Sequence, residues 1–293
     1  MSCPDCFRGG ISKSHPTGKE VTIHGVQTYV AEPEAGVTPR GIIVLITDAF
    51  GWKSVNNRVL SDHYAKRGGF LVYCPDFMNG RAMSPSIIPT MDTVIEKASW
   101  FTTIFVKPFL VVKALSHLIP WILTCSPAKT EAGVIEYFKA LRTSPPALQT
   151  KDLKIGTAGF CWGAKHVVTL ARDDPKHRVT RHSSQTLSAH PEPLIDAAFV
   201  GHPTFIKLPD DVEPIKIPLS WCVGEEDLQM KAADIEMVKR ILESKEDAEH
   251  EVKTIPGAKH GFANRTHPED KEEMAAAERA EEQALSWFSR WLS

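Results

Sequence analysis

Two rhythms alternate along the chain. Short, mostly apolar runs recur at residues 41–46, 70–74, 153–158, 196–200 and 217–223, unbroken in the first, with a more mixed one at 251–255. Runs of that length and character suit strands buried on both faces of a sheet. Between them, apolar residues return every three or four positions over 55–66, 164–171, 232–244 and the long, charged stretch 268–292. This spacing predicts helices with one face on a core. Near the start, Val21-Thr22-Ile23 and Gln27-Thr28-Tyr29-Val30 alternate around His24-Gly25, which predicts a hairpin over 21–32. Strands alternating with helices imply a mostly parallel twisted sheet flanked by helices, an α/β fold.

Residues 80–129 interrupt this rhythm with a strongly apolar run from Trp100 to Leu123. Lys107, Pro108, Lys113 and Pro120 are expected to break it, and its longest charge-free piece is shorter than the roughly 20 residues a bilayer span needs. Stable membrane insertion is therefore not expected. Three readings of this helical insert are open. It is a lid whose apolar face lines an acyl pocket, a dimer or membrane-surface contact, or a set of core helices laid on the sheet. The lid reading is preferred. Residues 1–18 read as an irregular arm on a single domain spanning 1–293.

Composition narrows the function classes. A formal net charge of −2 over 293 residues argues against a nucleic-acid partner. The opening Met1-Ser2-Cys3-Pro4-Asp5-Cys6 lacks the apolar core of a signal peptide. Six cysteines in a chain this long do not suggest a disulfide framework, and Cys3 and Cys6 have no second ligand pair for a metal. No metal and no cofactor are expected, the cytoplasm is the expected compartment, and the protein is expected to be a monomer or homodimer.

The candidate chemistry sits at Gly159-Phe160-Cys161-Trp162-Gly163, between a predicted strand and a predicted helix. Strand, G-x-C-x-G, helix resembles the nucleophile elbow of α/β-hydrolases, with cysteine in place of serine. Glycines flank the nucleophile because the turn leaves no room for a Cβ. An acid and a base follow at the ends of later strands. Gly224-Glu225-Glu226-Asp227 follows the run ending at 223, and His260-Gly261-Phe262 follows the run ending at 255. Nucleophile, acid and base thus occur in the α/β-hydrolase order. A thiol is largely protonated at neutral pH and needs an imidazole to take its proton, and a carboxylate to hold that imidazole. The oxyanion needs two backbone N–H donors. Trp162, at the start of the helix, is one candidate. Ala49, in the loop Thr47-Asp48-Ala49-Phe50-Gly51 after the first buried strand, is the other.

With these pieces in view, the sequence resembles the dienelactone hydrolase (carboxymethylenebutenolidase-like) family, in its fungal branch. The matching segments are DAFG at 48–51, YCPDF at 73–77, GFCWG at 159–163, GHPTF at 201–205, GEED at 224–227 and KHGFANR at 259–265. The resemblance implies an α/β-hydrolase fold and a triad of Cys161, Asp227 and His260. It implies hydrolysis of a small lactone or activated ester through a thioester acyl-enzyme; a thioesterase or polyketide-lactone enzyme on the same triad, and a weakly catalytic binding protein, are the alternatives. Bacterial members carry a glutamate that controls the thiol where this chain has Asp48, and a substrate-binding arginine where it has Asn264. Asp48, Phe50, Arg81, His202, Asn264 and Arg265 are thus the candidates for modulating the thiol or binding substrate. For Asp48 a turn-capping role is an equal reading, and for His202 a packed, hydrogen-bonded core histidine is the alternative.

Overall fold

In the computed structural model, residues 9–95, 98–147, 152–185 and 190–293 are described; the Cys3/Cys6 pair lies outside them. β1 (Lys19–Ile23) and β2 (Val26–Ala31) form the expected hairpin, turning at His24-Gly25. The chain then lays down β3 (Ile42–Ile46), α1 (Val55–Gly68) and β4 (Leu71–Pro75), and enters the insert. It resumes with α4 (Pro127–Thr143), β5 (Ile155–Phe160), α5 (Trp162–Ala171), β6 (Ala197–Gly201), β7 (Leu219–Gly224), α6 (Ala232–Glu243), β8 (His250–Ile255) and α7 (Lys271–Trp291).

The strands form one sheet in the order β1-β2-β4-β3-β5-β6-β7-β8. Pairing is antiparallel through β1, β2 and β4 and parallel from β4 to β8. The mostly apolar runs are buried on both faces, as β3 shows. Ile42, Val44 and Ile46 join a core with Phe138, Val167, Val168 and Val238 of α4, α5 and α6. Ile43 and Leu45 point the other way, into a core with Tyr64 of α1 and Phe288 of α7. The period of two sends neighbouring side chains to opposite layers. From β3 the chain moves to β4 on one side, and later to β5 on the other. The loops after β3 and β5 therefore flank the point where strand order reverses, where open α/β sheets form their sites.

The insert departs from expectation. A short α2 (Ile88–Ile95) leads to a π-helical segment, Thr102–Val106, which runs directly into α3 (Lys107–Cys125). The prolines and lysines do not break it. Pro108 stands just past the π-helical turn, where the hydrogen-bond register shifts and a missing donor is accommodated, and Pro120 lies on an exposed side where water can satisfy the carbonyl it frees. Thr102–Cys125 is, by length and composition, long and apolar enough to cross a membrane, yet little of it is buried. That exposure overturns the core-helix reading. Only Ala114, Trp121 and Cys125 of α3 are buried.

Candidate active site

Cys161 follows the last residue of β5 directly and takes a positive φ (51°, ψ −112°), a conformation non-glycine residues seldom hold. Neighbouring backbone keeps it there. Its N–H donates to the Gly201 carbonyl (3.1 Å), and its own carbonyl accepts from Ala164 and Thr204 N–H (3.2 Å each). The flanking glycines answer to close approach. A Cβ on Gly163 would lie 2.1 Å from the Ile46 carbonyl oxygen, and one on Gly159 2.6 Å from the Gly163 carbonyl oxygen. The start of α5 thus abuts the end of β3, and Gly163 N–H donates to Thr47 O (3.1 Å).

Asp227 and His260 stand on the loops after β7 and β8. Nδ1 of His260 lies 2.9 and 3.0 Å from the two carboxylate oxygens of Asp227. On the other side of the ring, Nε2 lies 3.3 Å from Oγ1 of Thr204, which in turn lies 3.4 Å from Sγ of Cys161. His260 also hydrogen-bonds Cys161 itself. All four side chains are buried. Burial pulls the His260 pKa down. The charge and hydrogen bond of Cys161 and those of Asp227 outweigh it, and the imidazole is raised to about 10. The three residues read from sequence are therefore brought together, and Thr204 is added to them. Only its place in the GHPTF segment could have signalled it.

The remaining candidates divide. Asp48 is buried among donors. Its Oδ1 accepts from Phe50 N–H (3.1 Å) and Asn57 Nδ2 (3.0 Å); its Oδ2 accepts from Asn264 Nδ2 (3.1 Å) and pairs with the Arg265 guanidinium. Asn264 and Arg265 thus both turn toward Asp48, and both are buried beside it. The Asp48 carboxylate pins its own loop, in keeping with the turn-capping alternative. Phe50 is buried, with the Arg265 guanidinium 5.5 Å from its ring centre. Asn57, on α1, completes the cluster, and nothing in its sequence setting marked it.

His202 is fully buried between Phe160, Phe262 and His260, its ring 4.9 Å from that of His260. Neither of its ring nitrogens has a hydrogen-bond partner among the described residues. It is a packed histidine, but without the hydrogen bond expected of that alternative. Burial first, then the His260 charge, holds its pKa well below the usual value, so it stays neutral beside the imidazolium. Arg81 is exposed and forms no ion pair among the described residues. Its carbonyl accepts from the Cys125 thiol (3.6 Å). The end of α3 also reaches the elbow, where Trp162 Nε1 donates to the Cys125 carbonyl (2.6 Å). A cavity of about 210 Å³ lies behind the His260 loop, bounded by Lys259, Phe262, Glu272 and Glu273, but Cys161 does not line it. Among the described residues no group of three or more His, Cys, Asp or Glu side chains is placed to hold a metal.

The profile of the dienelactone hydrolase family matches residues 26–292 of the chain. The protein belongs to the dienelactone hydrolase family. Among curated relatives, dienlactone hydrolase 1 of Gibberella moniliformis is 25% identical over 98% of this chain and 93% of its own length. The carboxymethylenebutenolidase homolog of Xenopus tropicalis is 24% identical over 99% and 97%. Solved structures share the fold. The dienelactone hydrolase of Anabaena variabilis matches with a TM-score of 0.56 at 16% identity, covering 94% of this chain and 98% of its own. A dienelactone hydrolase-like promiscuous phosphotriesterase from metagenomic libraries matches at 0.57 and 18%, with the same coverage. The dienelactone hydrolase assignment makes the protein an ester hydrolase on an α/β-hydrolase fold.

Proposed function

We propose that this member of the dienelactone hydrolase family cleaves a small lactone or activated carboxylic ester through a thioester formed on Cys161. The observation that carries the reading is the buried succession Asp227, His260, Cys161, with His260 raised to about 10 by the two acidic partners that outweigh its burial. The Cys161 thiolate attacks the carbonyl carbon while the His260 imidazolium holds the proton. The tetrahedral oxyanion faces the N–H groups of Trp162, which as the first helical residue has no intrahelical acceptor, and of Ala49. The Ala49 loop is held on its other side by Met83 N–H, which donates to the Ala49 carbonyl (2.9 Å). Collapse expels the alkoxide, which takes the proton from His260 and leaves an acyl-Cys161 thioester. Neutral His260 then removes a proton from water, the hydroxide attacks the thioester, and the carboxylic acid leaves as the thiolate–imidazolium pair re-forms. Asp227 keeps the proton on Nδ1 and stabilises the imidazolium in both halves. The lactone class follows from the names of the relatives, and a reducing compartment, the cytoplasm, keeps such a thiol in working form.

Mass spectrometry after brief exposure to p-nitrophenyl acetate tests the route. An acetyl group on Cys161, with turnover lost in Cys161→Ala while the fold persists, is expected. Full turnover in Cys161→Ala would overturn it.

A further inference from the structure

We propose that the outward face of the helix Thr102–Cys125 docks flat on an anionic membrane surface. At a rise of 1.5 Å per residue its 24 residues are about 36 Å long, and they divide into three stripes around the axis. Ala114, Leu118, Trp121 and Cys125, spaced at four, three and four, turn toward the body of the protein. Lys113, Ser116, His117 and Thr124 form a polar edge. The third stripe is apolar and open: Phe109 is 77% exposed, Val112 67% and Leu123 60%, with Leu115, Ile119 and Ile122 beside them. A soluble surface rarely leaves so much contiguous apolar area without a use.

Charge and aromatic placement say what covers it. Between Glu96 and Glu131 the sequence holds no Asp or Glu, and four lysines, at 97, 107, 113 and 129. An acid-free, lysine-bearing segment complements a leaflet of anionic lipid. At its N-terminal end Trp100, Phe101 and Phe105 form an exposed cluster with ring centres 5.1–6.5 Å apart, the type of side chain that settles at the headgroup level. A second copy of the chain fits less well. Apposing this face with itself across a two-fold axis would bring Lys113, on its edge, against a segment that holds no acid to answer it. The helix lies on the surface and does not cross it, because its inner stripe is held by the domain. Trp121 Nε1 donates to Met78 Sδ (3.5 Å), and the Cys125 carbonyl accepts from Trp162.

Co-sedimentation of the full chain with phosphatidylcholine vesicles, with and without phosphatidylserine, tests the docking. Binding is expected to the serine-containing vesicles and to weaken as salt is raised. The double substitution Val112→Glu/Ile119→Glu is expected to lower the partition coefficient about tenfold or more, and Lys113→Glu to lower it less. Both sites are exposed, so circular dichroism and the thermal midpoint should be unchanged. Failure of the wild type to bind either vesicle overturns the proposal. So does a wild-type dimer that Val112→Glu/Ile119→Glu converts to a monomer with no effect on vesicle binding, since the face would then belong to a second copy.

Discussion

Arg265 donates to Asp48 across 217 positions of sequence, and both side chains are 1% exposed. The pair lies beneath the loop that follows β3. One oxygen of Asp48 holds that loop through Phe50 N–H, and the other meets the guanidinium and Asn264. Asp48 thus ties its own loop to the segment after β8.

Removing one partner should therefore cost more than removing both. Arg265→Met leaves a buried carboxylate uncompensated and is expected to destabilise the fold by about 3–5 kcal/mol. The double variant Asp48→Asn/Arg265→Met should lose less than the sum of the two single changes. Urea unfolding of the four proteins of this cycle measures it, and strict additivity would show that the two groups do not interact.

Thr204 offers a way to disturb the proposed Cys161–His260 pair without replacing either residue. Thr204→Val removes the hydroxyl lying between sulfur and imidazole, while Thr204→Ser keeps it. Loss of a hydrogen bond to a charged group is worth about 1.5–3 kcal/mol, so kcat should fall roughly ten- to a hundredfold in the valine variant and recover in the serine one. An equal fall in both would trace the effect to packing instead.

With His260 raised to about 10, the imidazolium persists throughout the neutral range and is lost only as pH approaches that value. A thiol held in this pair should react with iodoacetamide at nearly the same rate from pH 7 to pH 9. An ordinary thiol of pKa about 8.5 would accelerate about twentyfold over that interval. His260→Gln is expected to restore the ordinary profile. A steep rise in the wild type would contradict a resting ion pair.

Acid stability should depend on His166 of α5. Burial, reinforced by the Lys165 charge, lowers its pKa to about 3, and its Nε2 lies 3.1 Å from Thr130 Oγ1. Below pH 6.5 the unfolded chain takes up a proton that the folded protein refuses. The contribution of neutral His166 is thus intact above pH 6.5 and is lost toward pH 3, at about 1.4 kcal/mol per pH unit. Denaturant midpoints at pH 7 and pH 5 should differ less in His166→Gln, and an unchanged difference would remove His166 from the account.

Much of the architecture is legible in the residue pattern, because strands buried on both faces are built almost wholly of apolar and small residues. β3, β5, β6 and β7 lie where mostly apolar runs predict them, and the hairpin turns at the expected glycine. Cys161, Asp227 and His260 draw notice in the sequence because each stands just past a strand end. What stays hidden is contact between distant segments. Nothing near Asp48 points to Arg265, and nothing near Asn57 points to either. The insert misleads for a different reason. Helix-breaking tendencies belong to residues, but whether a proline breaks a helix depends on where its turn lies and what faces it. Pro108 and Pro120 are both in positions that spare them.

His260 hangs from the rim of the sheet. β8 pairs on one side only, is only partly buried, and carries His260 on the loop that follows it. Cys161 stands near the middle, directly after a strand flanked on both sides. Rim strands open at lower free energy than central ones. Warming should thus silence the enzyme while its centre is still intact, so that loss of turnover reports fraying at one border of the molecule before the molecule itself gives way.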